Sequence, residues 1–91
     1  MALQELEQFV GSKVVIDTDS RFIYIGLLDK VHEHFLEMAD VDVHDCHDSS
    51  TTREIYIVDA RRASVRPNRH RALVREERIM SISKLDDVMS Y

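Results

Sequence analysis

Two stretches of this chain carry residue types able to do chemistry. The first is 61–75, where Arg61, Arg62, Arg66, Arg69, Arg71 and Arg75 occur without a single acid between them. Guanidinium groups pair with phosphate and stack on bases, so such a run could track a polyanion, each neutralised phosphate steepening the salt dependence. It could equally form a solvated face, or pair with the acidic half of a neighbouring copy. The other stretch is His44, Cys46, His47 and Asp48, with His32 and His34 upstream. Imidazole and thiolate are good ligands for zinc and related metals. The spacing matches no standard zinc pattern, so a metal site on His44, Cys46 and His47 would need ligands from elsewhere. No nucleophile elbow, metalloprotease helix or nucleophile–base pair occurs, so the sequence names no reaction, and an enzyme is not expected.

The charge is unevenly spread. Residues 1–50 hold three basic and eleven acidic side chains, a balance of −8, and residues 51–91 hold nine basic and six acidic, +3. The net charge of −5 does not suit a protein that coats nucleic acid globally, while a local basic stretch can still bind it. Acidic and basic halves in one chain also suit head-to-tail contacts between copies. The 91 residues, 44% hydrophobic and 32% charged, describe one globular domain spanning 1–91 with a thin core, which assembly would help. No apolar run approaches a membrane span, the acidic start is unlike a signal peptide, and one cysteine permits no internal disulfide; these features point to a cytoplasmic setting. Two glycines and one proline exclude a glycine-rich phosphate loop.

The elements that must position these groups follow from periodicity. Leu3, Leu6, Phe9 and Val10 form one stripe of a short helix over 2–10, with Gly11 placed to end it. Val14–Ile16 opens a strand, and Asp17–Ser20 is a polar turn. The run from Phe22 to Leu28 is apolar on both faces and should be covered on both sides. Gly26, alone within it, marks a bend or a close backbone approach. In the strand from Phe35 to His44, Leu36 and Met38 fall on even positions but Val41 and Val43 on odd ones. That parity switch predicts a bulge near Ala39–Asp40. Thr51 and Glu54 fit a capping box for a helix or helical turn over 52–63, with Ile55, Val58 and Arg62 along one face, although Ile55-Tyr56-Ile57-Val58 reads as a strand too. Val65–His70 reads as a loop, Arg71–Arg75 and Ile79–Ser83 as two strands with Met80 and Ile82 on one face, and Leu85–Val88 as a tail.

A short helix, a bent three-strand stretch, a connection and two short strands resemble the Sm-like family, the small barrels of spliceosomal Sm proteins and of the bacterial RNA chaperone Hfq. Val14–Ile16, Gly26-Leu27-Leu28 and Val31–Phe35 resemble the first Sm motif of that family. Leu73-Val74-Arg75-Glu76-Glu77, running on to Ile82, resembles its other motif. The resemblance covers roughly 3–45 and 70–84, leaving 46–69 as an insertion between the motifs, and identifies the chain as a divergent, prokaryotic-type relative. It implies a five-stranded, strongly bent antiparallel barrel with an N-terminal helix. It also implies a homo-oligomeric ring of about five to seven copies, which would cover the short last strands. For function it implies a scaffold or chaperone that binds single-stranded RNA without chemistry or cofactor. Arg75 falls on the family's Arg-Gly arginine and His34 on or beside its stacking position, with Arg69, Arg71 and Arg78 as further contacts.

The departures are specific. The family's base-reading asparagine is replaced by Phe35 or Leu36, its orienting acid by His32, and its motif glycine by Glu76, followed by Glu77. The RNA pocket is therefore present in part. Two other readings stand beside RNA binding: a ring-forming structural or protein-interaction module that has dropped RNA, and a metal-binding module on His44, Cys46 and His47.

Overall fold

A computed structural model describes residues 3–47 and 52–89. A short helix, α1 (Leu3–Glu7), leads into three strands, β1 (Lys13–Thr18), β2 (Phe22–Val31) and β3 (Phe35–Asp45). Helix α2 (Arg53–Ala63) follows, then β4 (Arg69–Arg75), a 3-10 turn at Glu76–Arg78, and β5 (Ile79–Lys84). The chain closes on another 3-10 turn, Leu85–Asp87. The strands form one antiparallel sheet in the order β4-β3-β2-β1-β5.

The sheet bends where the sequence marks it. Between β2 and β3 the register steps from Ile25↔Asp42 to Leu27↔Ala39, so Gly26 faces both Asp40 and Val41. Asp40 takes φ 50°, a left-handed conformation that Asp tolerates better than most side chains. A Cβ on Gly26 would lie 2.8 Å from the Asp40 carbonyl oxygen and 3.0 Å from the Val41 Cα. Only glycine fits against this bulge. The extra residue keeps Leu36 and Met38 on the same buried face as Val41 and Val43 despite their opposite parity. A further step, between Leu28 and Lys30, leaves Asp29 outside the β2–β3 ladder, and a third sets Met80 outside the β1–β5 ladder.

Strand β2 is covered on both sides, as its composition requires. On the concave side, Leu6, Val14, Ile16, Leu28, Leu36, Met38, Val41 and Val74 form the larger core. Helix α1 plugs it with Leu6, and Gly11, at φ 89°, turns the chain so that its N–H donates to the Leu28 carbonyl at 2.8 Å. On the convex side, Val15, Ile23 and Ile25 pack against Ala60 of α2 and against Leu85.

Three expectations need correcting. The cap of α2 is Thr52, whose hydroxyl accepts from the Ile55 N–H at 3.2 Å; Thr51 lies outside the described residues. The helix packs through Tyr56, Ile57 and Ala60, whereas Ile55 is 53% exposed. Leu85 is buried in the convex core and not part of a free tail.

Polar side chains dock α2. Arg53 pairs with Asp17 on β1 and donates to the Ser20 carbonyl at 3.2 Å. The Tyr56 hydroxyl donates to Asp42 on β3, and the Tyr56 ring stacks on His44, with centroids 3.6 Å apart and planes 10° from parallel. Asn68 clasps β3 beyond the helix: its Oδ1 accepts from the Val43 N–H and its Nδ2 donates to the Val43 carbonyl, both at 3.0 Å.

Gly26→Ala should cost about 1–3 kcal/mol or more, because the added methyl meets backbone atoms that cannot swing away. Urea unfolding would measure it, and an unchanged midpoint would show that the bend does not need glycine. Tyr56→Phe should cost about 1–2 kcal/mol by leaving a partly buried carboxylate short of a donor, read from the same unfolding curves.

Candidate nucleic-acid interface

Strands β3 and β4 run antiparallel, with Phe35 opposite Arg75. The start of β3 and the end of β4 therefore lie side by side, and so do the segments flanking them. His34 precedes β3, and the 3-10 turn at Glu76 follows β4. The Glu76 N–H donates to the His34 carbonyl at 3.0 Å and ties the two segments together. His34, Arg75, Glu76 and Glu77 line an open cavity of about 300 Å³.

Within it the Arg75 guanidinium lies over the Phe35 ring, 5.8 Å from its centre, and its Nη2 meets Glu77 Oε1 at 2.7 Å. Both contacts act on a side chain that is itself largely exposed. The His34 side chain is 76% exposed, and the Glu33 carboxylate lies 3.9 Å from its Nε2. The site thus offers an imidazole face, a fork of donors and carboxylate acceptors. It offers no amide side chain, because Leu36, at or beside the position of the family's asparagine, is fully buried in the concave core.

The other arginines singled out from the sequence lie elsewhere. Alternation along β4 puts Arg69, Arg71, Leu73 and Arg75 on its outer face and Ala72 and Val74 toward the core. Arg71 is held by Asp29 at 3.0 Å and Glu37 at 2.8 Å. Asp29 is the extra residue at the Leu28–Lys30 register step, which aims its carboxylate at Arg71. His32 joins the cluster through Glu37 at 2.9 Å. The His32 hydrogen bond first, and Arg71 and Lys30 after it, hold the Glu37 carboxyl below its ordinary value, while Asp29 and Glu37 raise Arg71. Arg69 donates to the Asn68 carbonyl at 3.0 Å. Arg78 turns to Asp19 in the β1–β2 turn, 3.4 Å away. The arginine run is thus no continuous positive track, since acids interrupt it at Arg71.

The histidine and cysteine stretch is also taken apart. His44 stacks on Tyr56, Cys46 packs against the convex core, and His47 is exposed. Asp48 lies outside the described residues. Among the described residues no group of three His, Cys, Asp or Glu is placed to hold a metal ion. The His44 Nε2 is buried without a hydrogen-bond partner among the described residues. Burial, opposed by nearby His44, raises the Asp42 carboxyl above its ordinary range. Sequence reasoning missed this Asp42–Tyr56–His44 contact, whose only trace was the parity that turns Asp42 and His44 away from the concave core. It also missed Phe35 as the platform under Arg75, a pairing that only register reveals.

No family model matches the sequence, and no curated protein matches it. Solved structures do. An Sm protein of Pyrococcus abyssii, solved in complex with a uridine heptamer, superposes with a TM-score of 0.60 at 13% identity, over 92% of this chain and 97% of that one. The fold is Sm-like. A chain of the NatC complex, solved bound to CoA, shares it with a TM-score of 0.58 at 17% identity, over 96% of this chain and 91% of that one. The Sm-like fold thus occurs in an RNA complex and in a protein complex. Among the described residues, no helix is long and apolar enough to cross a membrane.

The Glu37 cluster has a pH signature. A carboxyl held below its ordinary value of 4.5 in the folded chain stabilises the fold above that value and loses its contribution as pH falls through the folded value. Glu37→Gln should therefore be less stable than the parent near pH 7, with the gap closing in acid well below pH 4.5. Thermal melts from neutral pH into acid would show it, and a gap that persists in acid would assign the loss to packing.

Proposed function

We propose that the chain binds single-stranded RNA at the His34–Arg75 cavity, as copies of itself joined edge to edge in a ring, and performs no chemistry. The observation that carries this reading is the meeting of His34 and Arg75 at one cavity. They come from segments far apart in the sequence, and one supplies a stacking face, the other a donor fork. The Sm-like fold supports it, as does the sheet order, which leaves β4 and β5 at the two edges. Leu73 on β4 and Met80 on β5 are 60% and 68% exposed and would be covered by an edge-to-edge contact. Pairing β4 of one copy with β5 of the next would extend the ladder head to tail and close it into a ring.

An alternative reading keeps the ring and drops RNA. Two carboxylates line the cavity against one guanidinium, and Glu77 already occupies Arg75. The likeness to a chain of a protein complex suits a ring that holds proteins.

Fluorescence anisotropy of labelled U-rich and A-rich strands at two salt concentrations separates the readings. On the RNA-binding reading, binding is salt-sensitive, and Arg75→Ala weakens it by about 5–100-fold. Absence of binding at low salt leaves the scaffold. Sedimentation at tens of micromolar should show a closed oligomer; a monomer there would remove the ring from both readings.

A further inference from the structure

We propose that this cavity selects guanine over uracil, with Glu77 as the residue that reads it; the inference rests on the RNA-binding reading above. The cavity's side chains form an unusual set. Arg75 only donates, the ionised Glu76 and Glu77 only accept, and His34 offers a ring face. Leu36 is fully buried, so no amide that could both donate and accept is supplied from that position. The side chains carry one positive charge against two negative, which disfavours a bare phosphate and favours a base edge rich in N–H groups.

The ion pair sets the order of the groups. Arg75 Nη2 and Glu77 Oε1 stand 2.7 Å apart, so a donor and an acceptor are presented side by side. The Watson–Crick edge of guanine is complementary to that pair. Its O6 accepts and lies next to two adjacent donors, N1–H and the 2-amino group. Arg75 donates to O6 while the Glu77 carboxylate accepts from both N–H groups, a two-bond contact of the kind carboxylates make best. Uracil presents one N–H between two carbonyl oxygens, so a carboxylate that takes the N–H confronts an oxygen on either side. Cytosine and adenine each give one amino group next to an acceptor, which leaves the carboxylate one bond. The Arg75 guanidinium also lies over the Phe35 ring, 5.8 Å from its centre, which favours this placement of the exposed pair. His34, with its side chain 76% exposed, supplies the stacking face.

The test is fluorescence anisotropy with three labelled oligonucleotides of equal length: all uridine, uridine with separated guanosines, and the same strand with inosines, which lack the 2-amino group. The guanosine strand should bind about fivefold or more tightly than the uridine strand, the lower end of what a two-bond base contact yields because both side chains are exposed. Inosine should lose much of that gain. Glu77→Ala should level the strands while keeping, or strengthening, uridine binding, since it releases Arg75 from its ion pair. Equal binding of all three strands by the parent protein, tighter binding of uridine, or a guanosine preference that survives Glu77→Ala would overturn the inference and leave RNA binding standing. Failure of every strand to bind would remove the RNA reading itself, and this inference with it.

Discussion

The close approach of Gly26 to the Asp40 bulge is the constraint on which the rest of the structure depends. Because no Cβ stands between the strands, β3 can carry one residue more than β2 at that point and change its facing parity. Without the bulge, Val41 and Val43 would point away from the core that Leu36 and Met38 fill. With it, one concave face runs the whole length of β3, and the sheet curls around it. The curl leaves β4 and β5 at the two edges. Antiparallel pairing with β3 then sets the end of β4 beside the start of β3, which is what brings Arg75 to Phe35 and His34. The candidate site is a consequence of strand ends meeting.

The convex side is built by different physics. Its core is smaller, and α2 is held as much by polar contacts as by apolar burial: Arg53 to Asp17 at one end, Tyr56 between Asp42 and His44 in the middle. Polar contacts of this kind specify position, because a shifted helix would take the Tyr56 donor from Asp42 and the Arg53 donor from Asp17 in a partly dry setting. Leu85 completes the seal from the last strand's exit. Helix α2 is thereby anchored to the sheet, and its exposed side keeps Ile55 at the surface.

What the sequence disclosed follows from what is local. The bulge at Ala39–Asp40 and the role of Gly26 were legible, because strand parity is a property of one strand. The double-sided cover of β2 was legible from its composition. The capping box favoured a helix over 52–63 against a strand reading of Ile55–Val58, and the structure decides for the helix, but its buried face was not legible. Ile55 and Val58 are as apolar as Ile57, and the residue that chooses the face is Tyr56, through Asp42, fourteen positions away. The arginine run looked continuous because a sequence cannot show that β4 alternates, nor that Asp29 and Glu37 reach Arg71 from other strands. His34 and Arg75 were paired through the family resemblance, and the register supplies the physical reason they meet. A pairing of Arg75 with the adjacent Glu76 or Glu77 was legible as well, and the structure shows it with Glu77.

The central claim is that strand-end geometry makes His34 and Arg75 one RNA site on a ring of Sm-like subunits. The most direct measurement is an experimental structure of the protein with a short single-stranded RNA. The account requires a closed ring joined β4 to β5, with a base stacked on His34 and contacted by Arg75 in each copy. A monomer, or RNA bound away from that cavity, would contradict it.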